Sequence, residues 1–353
     1  MNGSPRLPIR RMLVYISAWA IVLALALVFA TPALAQEGTP PQPSALNPVG
    51  PNGETIANLF NIVLIIAVGV FVVVEGLIVV AAFRFRRRSQ DTSEPTQVHG
   101  NTKAEIAWTI APALIVVTLF VLALQGLQSV DTPPVQAAGQ QLTVKVIGHQ
   151  FWWEYQYPDY NIATATDLVI PVGTVVNLDI SSVDVIHSFW VPQLNGKTDA
   201  FPNHINHSWI QANTPGTYVG QCAELCGSSH ANMRVVVIAK TPAEFDQWVK
   251  EQQAPPVESS DALAQQGKLT LLSGACIGCH TIEGTAAQGK VGPNLTHFGS
   301  RTGIAGGSLT NTEGNLKRWL TNPPAVKPGS VMPNLNLSKQ EVDALTAYLE
   351  SLK

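Results

Sequence analysis

Two long apolar stretches lie in the first half of the chain, at 56–83 and 106–127. Each is long enough to cross the roughly 30 Å apolar core of a bilayer as a helix. The polar loop between them begins with the basic run Arg84-Phe85-Arg86-Arg87-Arg88. Because basic loops remain on the cytoplasmic side, the pattern predicts a transmembrane hairpin at 56–130 with both of its ends outside the cytoplasm.

The N-terminus carries a third, shorter apolar run. Three arginines precede it, and it ends at the small-residue motif Ala33-Leu34-Ala35. This order favours a secretory signal peptide over 1–35. A retained anchor helix is the alternative, because the run approaches spanning length. The stretch 36–55, rich in Pro and Gly, is predicted to be a linker.

The spacing of apolar residues changes after residue 140. Short β-branched runs recur at 142–147, 167–170, 175–180 and 235–238, with Pro and Gly between them. This punctuation predicts a small all-β sandwich or barrel as the domain at 131–250.

The last part of the chain loses the strand pattern. A Pro-containing linker is predicted at 251–260, and apolar residues then recur at helical spacing near both ends of 261–353. The pattern predicts a small all-α domain there. The chain as a whole is therefore predicted to be multidomain, with a two-helix transmembrane hairpin, an all-β domain and a small all-α domain.

Composition agrees with this division and excludes one class of partner. Hydrophobic residues make up 46% of the chain and charged residues only 13%, as expected for membrane-embedded segments beside a soluble part. The formal net charge is −3, and no basic face is evident. Nucleic acid is therefore not an expected partner.

The helical C-terminal part contains Cys276-Ile277-Gly278-Cys279-His280, the pattern to which haem c is covalently attached. The histidine is placed to bind the iron from one side, and a methionine commonly binds from the other. Met332 is the only methionine in this part. A redox dithiol and a structural disulfide are the alternatives, but the βαβ context of a thioredoxin-type dithiol is absent.

The β domain carries a second cluster of soft ligands. Cys222, Cys226, His230 and Met233 lie within twelve residues, and His187 precedes them at the end of a strand-like run. Thiolate, imidazole and thioether together favour copper, whereas zinc has little use for methionine. Two thiolates can bridge a copper pair while each histidine caps one ion. A Cys222–Cys226 disulfide is the alternative in an exported domain.

These features together resemble subunit II of the haem–copper terminal oxidases, which carries a dinuclear copper centre called CuA. The resemblance rests on the metal-ligand cluster, the hairpin and Gly148-His149-Gln150-Phe151-Trp152-Trp153-Glu154-Tyr155. The C-terminal part resembles small class I c-type cytochromes, on the haem motif, Gly292-Pro293-Asn294-Leu295, Trp319 and Met332-Pro333. The resemblance implies a cupredoxin fold for the β domain and the oxidase branch with its own fused cytochrome c.

The resemblance also implies roles for individual residues. Glu224 is similar to the acid whose carbonyl binds copper while its carboxylate helps to hold Mg²⁺ at the boundary with subunit I. Glu105 is similar to an acid at the cytoplasmic mouth of a proton path, and Lys197-Thr198-Asp199 to a stretch facing subunit I. Many relatives accept electrons at a Trp directly after His-Gln. Phe151 stands there in this chain, so Phe151, Trp152 and Trp153 are all candidates.

Neither apolar run contains a histidine, so we expect the oxygen-reducing site to lie in a partner subunit. The resemblance implies an oxidase subunit II that carries electrons from haem c through CuA to subunit I, with oxygen reduction and proton pumping. A tethered carrier that feeds another acceptor, such as a nitrogen-oxide reductase, is the alternative.

The implied setting is the plasma membrane of a prokaryote, with the copper and haem domains on the extracytoplasmic side. The implied partners are subunits I and III, membrane lipid, and an electron donor such as a cytochrome c, a copper protein or a quinol-oxidising complex. Glu75, inside the first apolar run, is expected to face a partner, because a charge facing lipid costs a few kcal/mol.

Overall fold

The computed structural model describes residues 43–86, 94, 96–134, 141–257 and 259–353. The predicted signal peptide at 1–35 and the first part of the predicted linker lie outside the described residues. The choice between a cleaved signal and a retained anchor therefore stays a prediction.

The two apolar runs form helices that are longer than the runs themselves. Helix α1 spans Pro51–Arg84 and helix α2 spans Thr102–Asp131, so both begin before the predicted 56 and 106. The sequence prediction followed only the apolar residues, whereas each helix continues through polar turns at its ends. Asn101 caps α2, because its side chain accepts a hydrogen bond from the Ala104 amide. Both helices are long and apolar enough to cross a membrane.

The extracytoplasmic ends of the two helices, in the predicted orientation, are fixed to the β domain. The Trp209 indole donates to the Val130 carbonyl at the end of α2, over 2.7 Å. At the start of α1, the Gly53 amide donates to the Leu194 carbonyl over 3.2 Å. These bonds satisfy backbone groups that a helix end leaves unpaired, and they join the ends of both helices directly to the sandwich.

The β domain contains two five-stranded sheets, in the orders β3-β2-β1-β5-β8 and β4-β10-β9-β6-β7. All four runs predicted to be strands lie in β1, β4, β5 and β10. The strands are β1 Leu142–His149, β2 Trp152–Tyr157, β3 Ile162–Ala165, β4 Asp167–Pro171, β5 Val176–Ser182, β6 His187–Trp190, β7 Thr198–Ala200, β8 Asn206–Ile210, β9 Gly216–Cys222 and β10 Arg234–Lys240.

Side chains from both sheets share one core, which makes the domain a sandwich. Burial alternates along β5, β9 and β10 with a period of two residues, so each strand turns one face inward. Val144, Tyr155 and Leu178 from one sheet and Ile170 and Val235 from the other are all almost fully buried. The predicted all-β class is confirmed.

One helix of this region was not predicted. Helix α3 spans Pro242–Gln253 and runs into the predicted linker at 251–260. It begins with a reciprocal capping box, in which Thr241 and Glu244 bond each other's backbone amides. The Thr-x-x-Glu spacing was the available signal. Phe245 and Val249 of α3 join the sandwich core.

The C-terminal part is a helical domain with its own core. Its helices are α4 Ala262–Ser273, α5 Glu313–Thr321, α6 Pro323–Val326 and α7 Lys339–Ser351. A short hairpin of β11 Gly303–Ile304 and β12 Leu309–Thr310 departs from the predicted all-α composition. The terminal helices α4 and α7 pack on each other, and Leu271, Leu345 and Leu349 lie in the shared core.

The contact between α4 and α7 depends on Gly267. A Cβ atom there would lie 2.5 Å from the Ala344 carbonyl carbon and 2.8 Å from the Tyr348 Cβ. We expect Gly267→Ala to destabilise the helical domain by about 1–3 kcal/mol, because the backbone of α7 must move away. Hydrogen exchange at α4 and α7 in the full chain measures the change.

Gly314→Ala in α5 is the matched control. Nothing lies within 4 Å of a Cβ there, so alanine should be neutral or stabilising by up to about 1 kcal/mol. Equal exchange in the two variants would contradict the packing argument.

Candidate metal centre and haem cavity

The predicted metal ligands meet at one end of the sandwich. His187 begins β6 and Cys222 ends β9, and the antiparallel register that pairs Phe189 with Cys222 brings them side by side. The chain then turns through Cys226 into a short 3₁₀ turn at His230–Asn232 and returns as β10. Adjacent strands and one tight loop therefore supply all the side-chain ligands.

The ligand atoms form one compact cluster. The two cysteine sulfurs are 3.8 Å apart, and the Cys222 Sγ lies 3.9 Å from the His187 Nδ1. The Cys226 Sγ lies 3.7 Å from the His230 Nδ1 and 3.9 Å from the Met233 Sδ. The Glu224 carbonyl oxygen is 3.3 Å from the Cys222 Sγ. The structure thus brings together every ligand that the sequence suggested.

The two sulfurs are not joined by a disulfide, whose S–S bond is about 2.05 Å long. The Cys226 thiol beside it, with His187, lowers the pKa of Cys222, while the presence of Cys222 and burial raise the pKa of Cys226. The pair therefore holds one negative charge readily and a second only with a cation between the sulfurs. A soft metal ion supplies that positive charge, so the cluster fits a metal centre.

The donor set favours copper over zinc. Met233 is fully buried with its thioether facing Cys226. Copper centres use thiolate, imidazole and a distant thioether, whereas structural zinc sites use only thiolate, imidazole and carboxylate.

Asp184 orients His187, a role that the sequence reasoning missed. Its Oδ1 accepts from the His187 Nε2 over 2.8 Å, which leaves Nδ1 for the cluster. Burial alone would raise the pKa of Asp184, but hydrogen bonds from His187 and from the Val185 and Gln150 amides hold the pKa below its usual value. The only sequence signal is an acid three residues before a candidate ligand, and that pattern is common.

The haem motif lines a cavity in the helical domain. Cys276, Cys279 and His280 lie on it, and Met332 lies on it as well, although it is more than fifty residues away in sequence. Both thiols are free and half-buried. Most of the remaining wall is apolar, as the lining residues Val291, Pro293, Leu295, Phe298, Ile304, Trp319 and Leu335 show.

His280 is oriented for binding through Nε2. Its Nδ1 donates to the Pro293 carbonyl over 2.8 Å, and burial lowers the pKa of the ring, so the neutral imidazole is favoured. Arg301 also lines the cavity, and its buried Nε has no hydrogen-bond partner among the described residues. A carboxylate-bearing porphyrin would satisfy that donor, so the cavity fits haem.

The copper domain completes the wall of this cavity. Gln150, Phe151 and Trp152 line it, and Phe151 is almost fully buried. Trp153, the third predicted electron-accepting candidate, is not on the cavity. Its ring packs edge-on against His187, with ring centroids 5.8 Å apart. Phe151 and Trp152 therefore face the haem side, and Trp153 faces the metal side.

A buried lysine lies at the same junction. Lys327 is 3% exposed, and burial lowers its pKa to about 7. The sequence reasoning missed Lys327, because a lysine before Pro-Gly is typical of an exposed turn.

The structure gives the remaining predicted residues less specific surroundings. Glu105 is exposed, and its carboxylate accepts from the Asn101 amide over 3.1 Å, which is a helix-capping contact. Glu75 is exposed on α1, and the Glu224 side chain is exposed at the metal end. Residues 197–199 line a cavity together with Leu127 and Asp131 at the end of α2.

Comparison with known families divides the chain as the fold does. The transmembrane domain family of "Cytochrome C oxidase subunit II" matches residues 45–126, and its periplasmic domain family matches 161–240. The family "Cytochrome c" matches 264–353. The first two matches imply a membrane protein with a CuA-type copper site, and the third implies haem.

Curated relatives extend over nearly the whole chain. "Cytochrome c oxidase subunit 2" of Alkalihalophilus pseudofirmus is 39% identical over 334 residues, covering 94% of this chain and 96% of that protein. The Bacillus subtilis protein of the same name is 35% identical over 355 residues, covering 95% and 98%. The structure of the periplasmic domain of subunit II of cytochrome oxidase (CoxB) of Bradyrhizobium japonicum aligns at 32% identity with a TM-score of 0.32, covering 34% and 97%.

Full-length relatives and both subunit II domain families thus agree with the ligand cluster and the hairpin. The chain is an electron-transferring subunit of a haem–copper oxidase, an oxidoreductase that it forms together with subunit I. It belongs to the cytochrome c oxidase subunit II family, in the form that carries a cytochrome c domain at its C-terminus.

Proposed function

We propose that this subunit II accepts electrons on its cytochrome domain and passes them through the copper domain to haem in subunit I, where oxygen is reduced to water with proton pumping. The observation that carries the proposal is the position of 150–152, which line the haem cavity while the Gln150 side chain donates to the backbone carbonyl of Cys226, one of the assigned copper ligands. When bound, haem and copper supply the one-electron chemistry.

The copper domain holds its ions through six residues. The ligands we assign are the side chains of His187, Cys222, Cys226, His230 and Met233 and the carbonyl of Glu224. Cys222, Cys226 and Met233 are almost fully buried, so little water reaches the sulfurs. A shell whose ligands are fixed by strands and by Asp184 rearranges little when the charge on the centre changes, which suits electron transfer.

The cytochrome domain holds haem covalently in this proposal. Cys276 and Cys279 would hold the haem through thioether bonds, and His280 and Met332 would supply ligands to its iron. The Pro293 carbonyl fixes the orientation of the His280 ring. A methionine ligand raises the reduction potential of the iron, which suits a centre that receives electrons from a donor such as a cytochrome c, a copper protein or a quinol-oxidising complex.

The metal end of the sandwich offers an apolar surface for subunit I. The end of β5 lies there, because Ser182 pairs with Gly148, which packs on the His187 ring. The start of β8 lies beside it, because Ile180 pairs with Asn206. The loops at this end expose apolar side chains, namely Val183, Val185, Ile186, Ile205 and Leu225. Exposed apolar patches of this kind mark interaction sites.

Further elements of the proposal rest on family resemblance and charge pattern. Arg84 and Arg86 follow the first span, so the loop between the spans is assigned to the cytoplasm and both cofactor domains to the opposite side. Glu105 is assigned to a proton path, residues 197–199 to the contact with subunit I, and Glu224 to a Mg²⁺ site there. Phe151 and Trp152 are assigned to electron transfer, and subunit III is a further partner.

The two centres should respond separately to loss of their cysteines. In the full chain, Cys226→Ser should lose its copper and keep haem, because a serine hydroxyl is a much poorer ligand for a soft metal than the thiolate that it replaces. Cys276→Ser should keep copper and lose one covalent bond to haem, so it serves as the reciprocal control. Metal analysis and denaturing-gel haem staining measure both. Full copper content in Cys226→Ser would exclude the assigned ligand set.

Replacing the assigned axial methionine should change the iron's ligation. Met332→Ala should abolish the methionine-to-iron absorption band of the oxidised chain and lower its reduction potential. Val331→Ala changes the neighbouring exposed residue and should leave the band in place. An unchanged spectrum in Met332→Ala would rule out this residue as the ligand.

Subunit I should copurify with this chain from native membranes. This association should require the apolar surface at the metal end of the sandwich. Ile205→Asp should reduce the recovered subunit I about tenfold, because a buried unpaired charge costs a few kcal/mol at an interface. Val257→Asp, at a residue that is 69% exposed beyond the copper domain, is the control. The oxidase assignment fails if wild-type chain recovers no subunit I, and the surface assignment fails if both variants recover it equally.

A further inference from the structure

Lys327 is a buried amine with no acidic partner. It directly follows α6 in the cytochrome domain, and no carboxylate of the described residues forms an ion pair with it. Burying a lysine costs several kcal/mol unless specific bonds offset the lost hydration. Its contacts should therefore reveal a function.

The amine bonds one carbonyl from each domain. Its Nζ donates to the Phe151 carbonyl of the copper domain over 2.5 Å and to the Ala305 carbonyl of the cytochrome domain over 2.7 Å. One side chain thus ties the wall of the haem cavity to the copper domain.

Two glycines allow the domains to approach this closely. Gly306 has φ +67°, and a Cβ atom there would lie 2.6 Å from the Lys327 Nζ and would also clash with the Phe151 carbonyl oxygen. Gly329 has φ +77°, and a Cβ atom there would clash with the Ser228 hydroxyl. Both positions favour glycine for their conformation as well as for space.

The residue after Lys327 bonds the loop that carries the metal ligands. The Ser228 and Ser229 hydroxyls donate to the Pro328 carbonyl over 3.2 and 2.5 Å. Both serines lie between Cys226 and His230. We call Lys327–Pro328 the latch, because it contacts the copper domain at Phe151 and at the ligand loop.

The Gln150–Phe151 segment of the copper domain, which bonds the latch, also contacts the loop that carries the metal ligands. The Gln150 side chain, next to Phe151, donates to the Cys226 carbonyl over 2.6 Å. A Cβ atom on Gly227 would lie 3.0 Å from the Phe151 ring, so the ring packs on the ligand loop. Electron transfer between two centres slows steeply as their separation grows, so the position of this peptide matters.

We propose that Lys327 is the positioning residue that holds the cytochrome domain against Phe151 and thereby fixes the distance from the haem cavity to the copper centre. This role rests on the proposed function, because it needs both cofactors in their assigned places.

A second set of contacts lies away from the latch. The Thr302 amide and hydroxyl donate to the two carboxylate oxygens of Asp167 over 2.7 and 2.6 Å. Loss of Lys327 should therefore loosen the contact between the two domains at Phe151, while their contact at Asp167 is kept.

The test compares Lys327→Met with Lys339→Met in the full, cofactor-loaded chain. Lys339 lies in the same domain, but its side chain is 90% exposed and pairs with Asp343 at the surface. Hydrogen exchange at 150–152 and 227–230 should become about tenfold faster in Lys327→Met, since a buried hydrogen bond contributes about that factor. It should be unchanged in Lys339→Met.

The second measurement is the rate of electron transfer from haem to copper after photoreduction of the haem. It should fall about tenfold in Lys327→Met while the methionine-ligated haem spectrum is kept. Copper and haem contents are measured on the same samples. A wild-type chain lacking either cofactor would refute the proposed function itself.

If both cofactors are present, three results would overturn the role proposed for Lys327 without affecting the proposed function. Unchanged exchange at 150–152 would show that Lys327 does not hold the domains together. An unchanged transfer rate would show that the distance does not depend on it. Loss of the haem spectrum in Lys327→Met would place its role inside the cytochrome domain, through Ala305.

Discussion

Two cysteine sulfurs held 3.8 Å apart in a buried site are the constraint on which the rest of the structure depends. Two thiolates at that distance repel each other strongly in a medium of low dielectric constant, and a cation between them removes the repulsion. The surrounding strands and the ligand loop bring the two sulfurs together. Strands β6 and β9 fix Cys222 beside His187, and the short turn before β10 returns Cys226, His230 and Met233 to the same point.

The sandwich also explains why this centre suits electron transfer. Its core is closed and its strands are paired, so the ligands have little freedom to rearrange when the charge on the centre changes. Hydrogen bonds to the ligand residues extend that rigidity outward. Asp184 fixes His187, and Gln150 fixes the Cys226 carbonyl. Gln150 is followed by Phe151 and Trp152, which form part of the haem cavity. The residues that fix the copper ligands therefore continue directly into the wall of the haem cavity.

The membrane hairpin holds the two centres in a fixed position and does not serve only as a loose tether. Hydrogen bonds from Trp209 to the end of α2 and from Gly53 to the sandwich fix the helices to the copper domain. The helices expose nearly all of their apolar side chains in the isolated chain, as a protein that meets lipid and partner helices must. In the oxidase, these fixed helix ends would keep the metal end of the sandwich at a constant height against subunit I.

The sequence by itself determined the features that depend on local pattern or on the chemistry of one residue type. Hydropathy located both spans, β-branched runs located four strands, and the Cys, His and Met spacings named both candidate ligand sets. Tertiary structure alone decided how the parts meet. Asp184, Gln150 and Lys327 are ordinary polar residues whose roles arise from what lies opposite them across the fold. Local sequence does not encode those neighbours, because strand pairing and domain packing bring together residues as many as 176 positions apart.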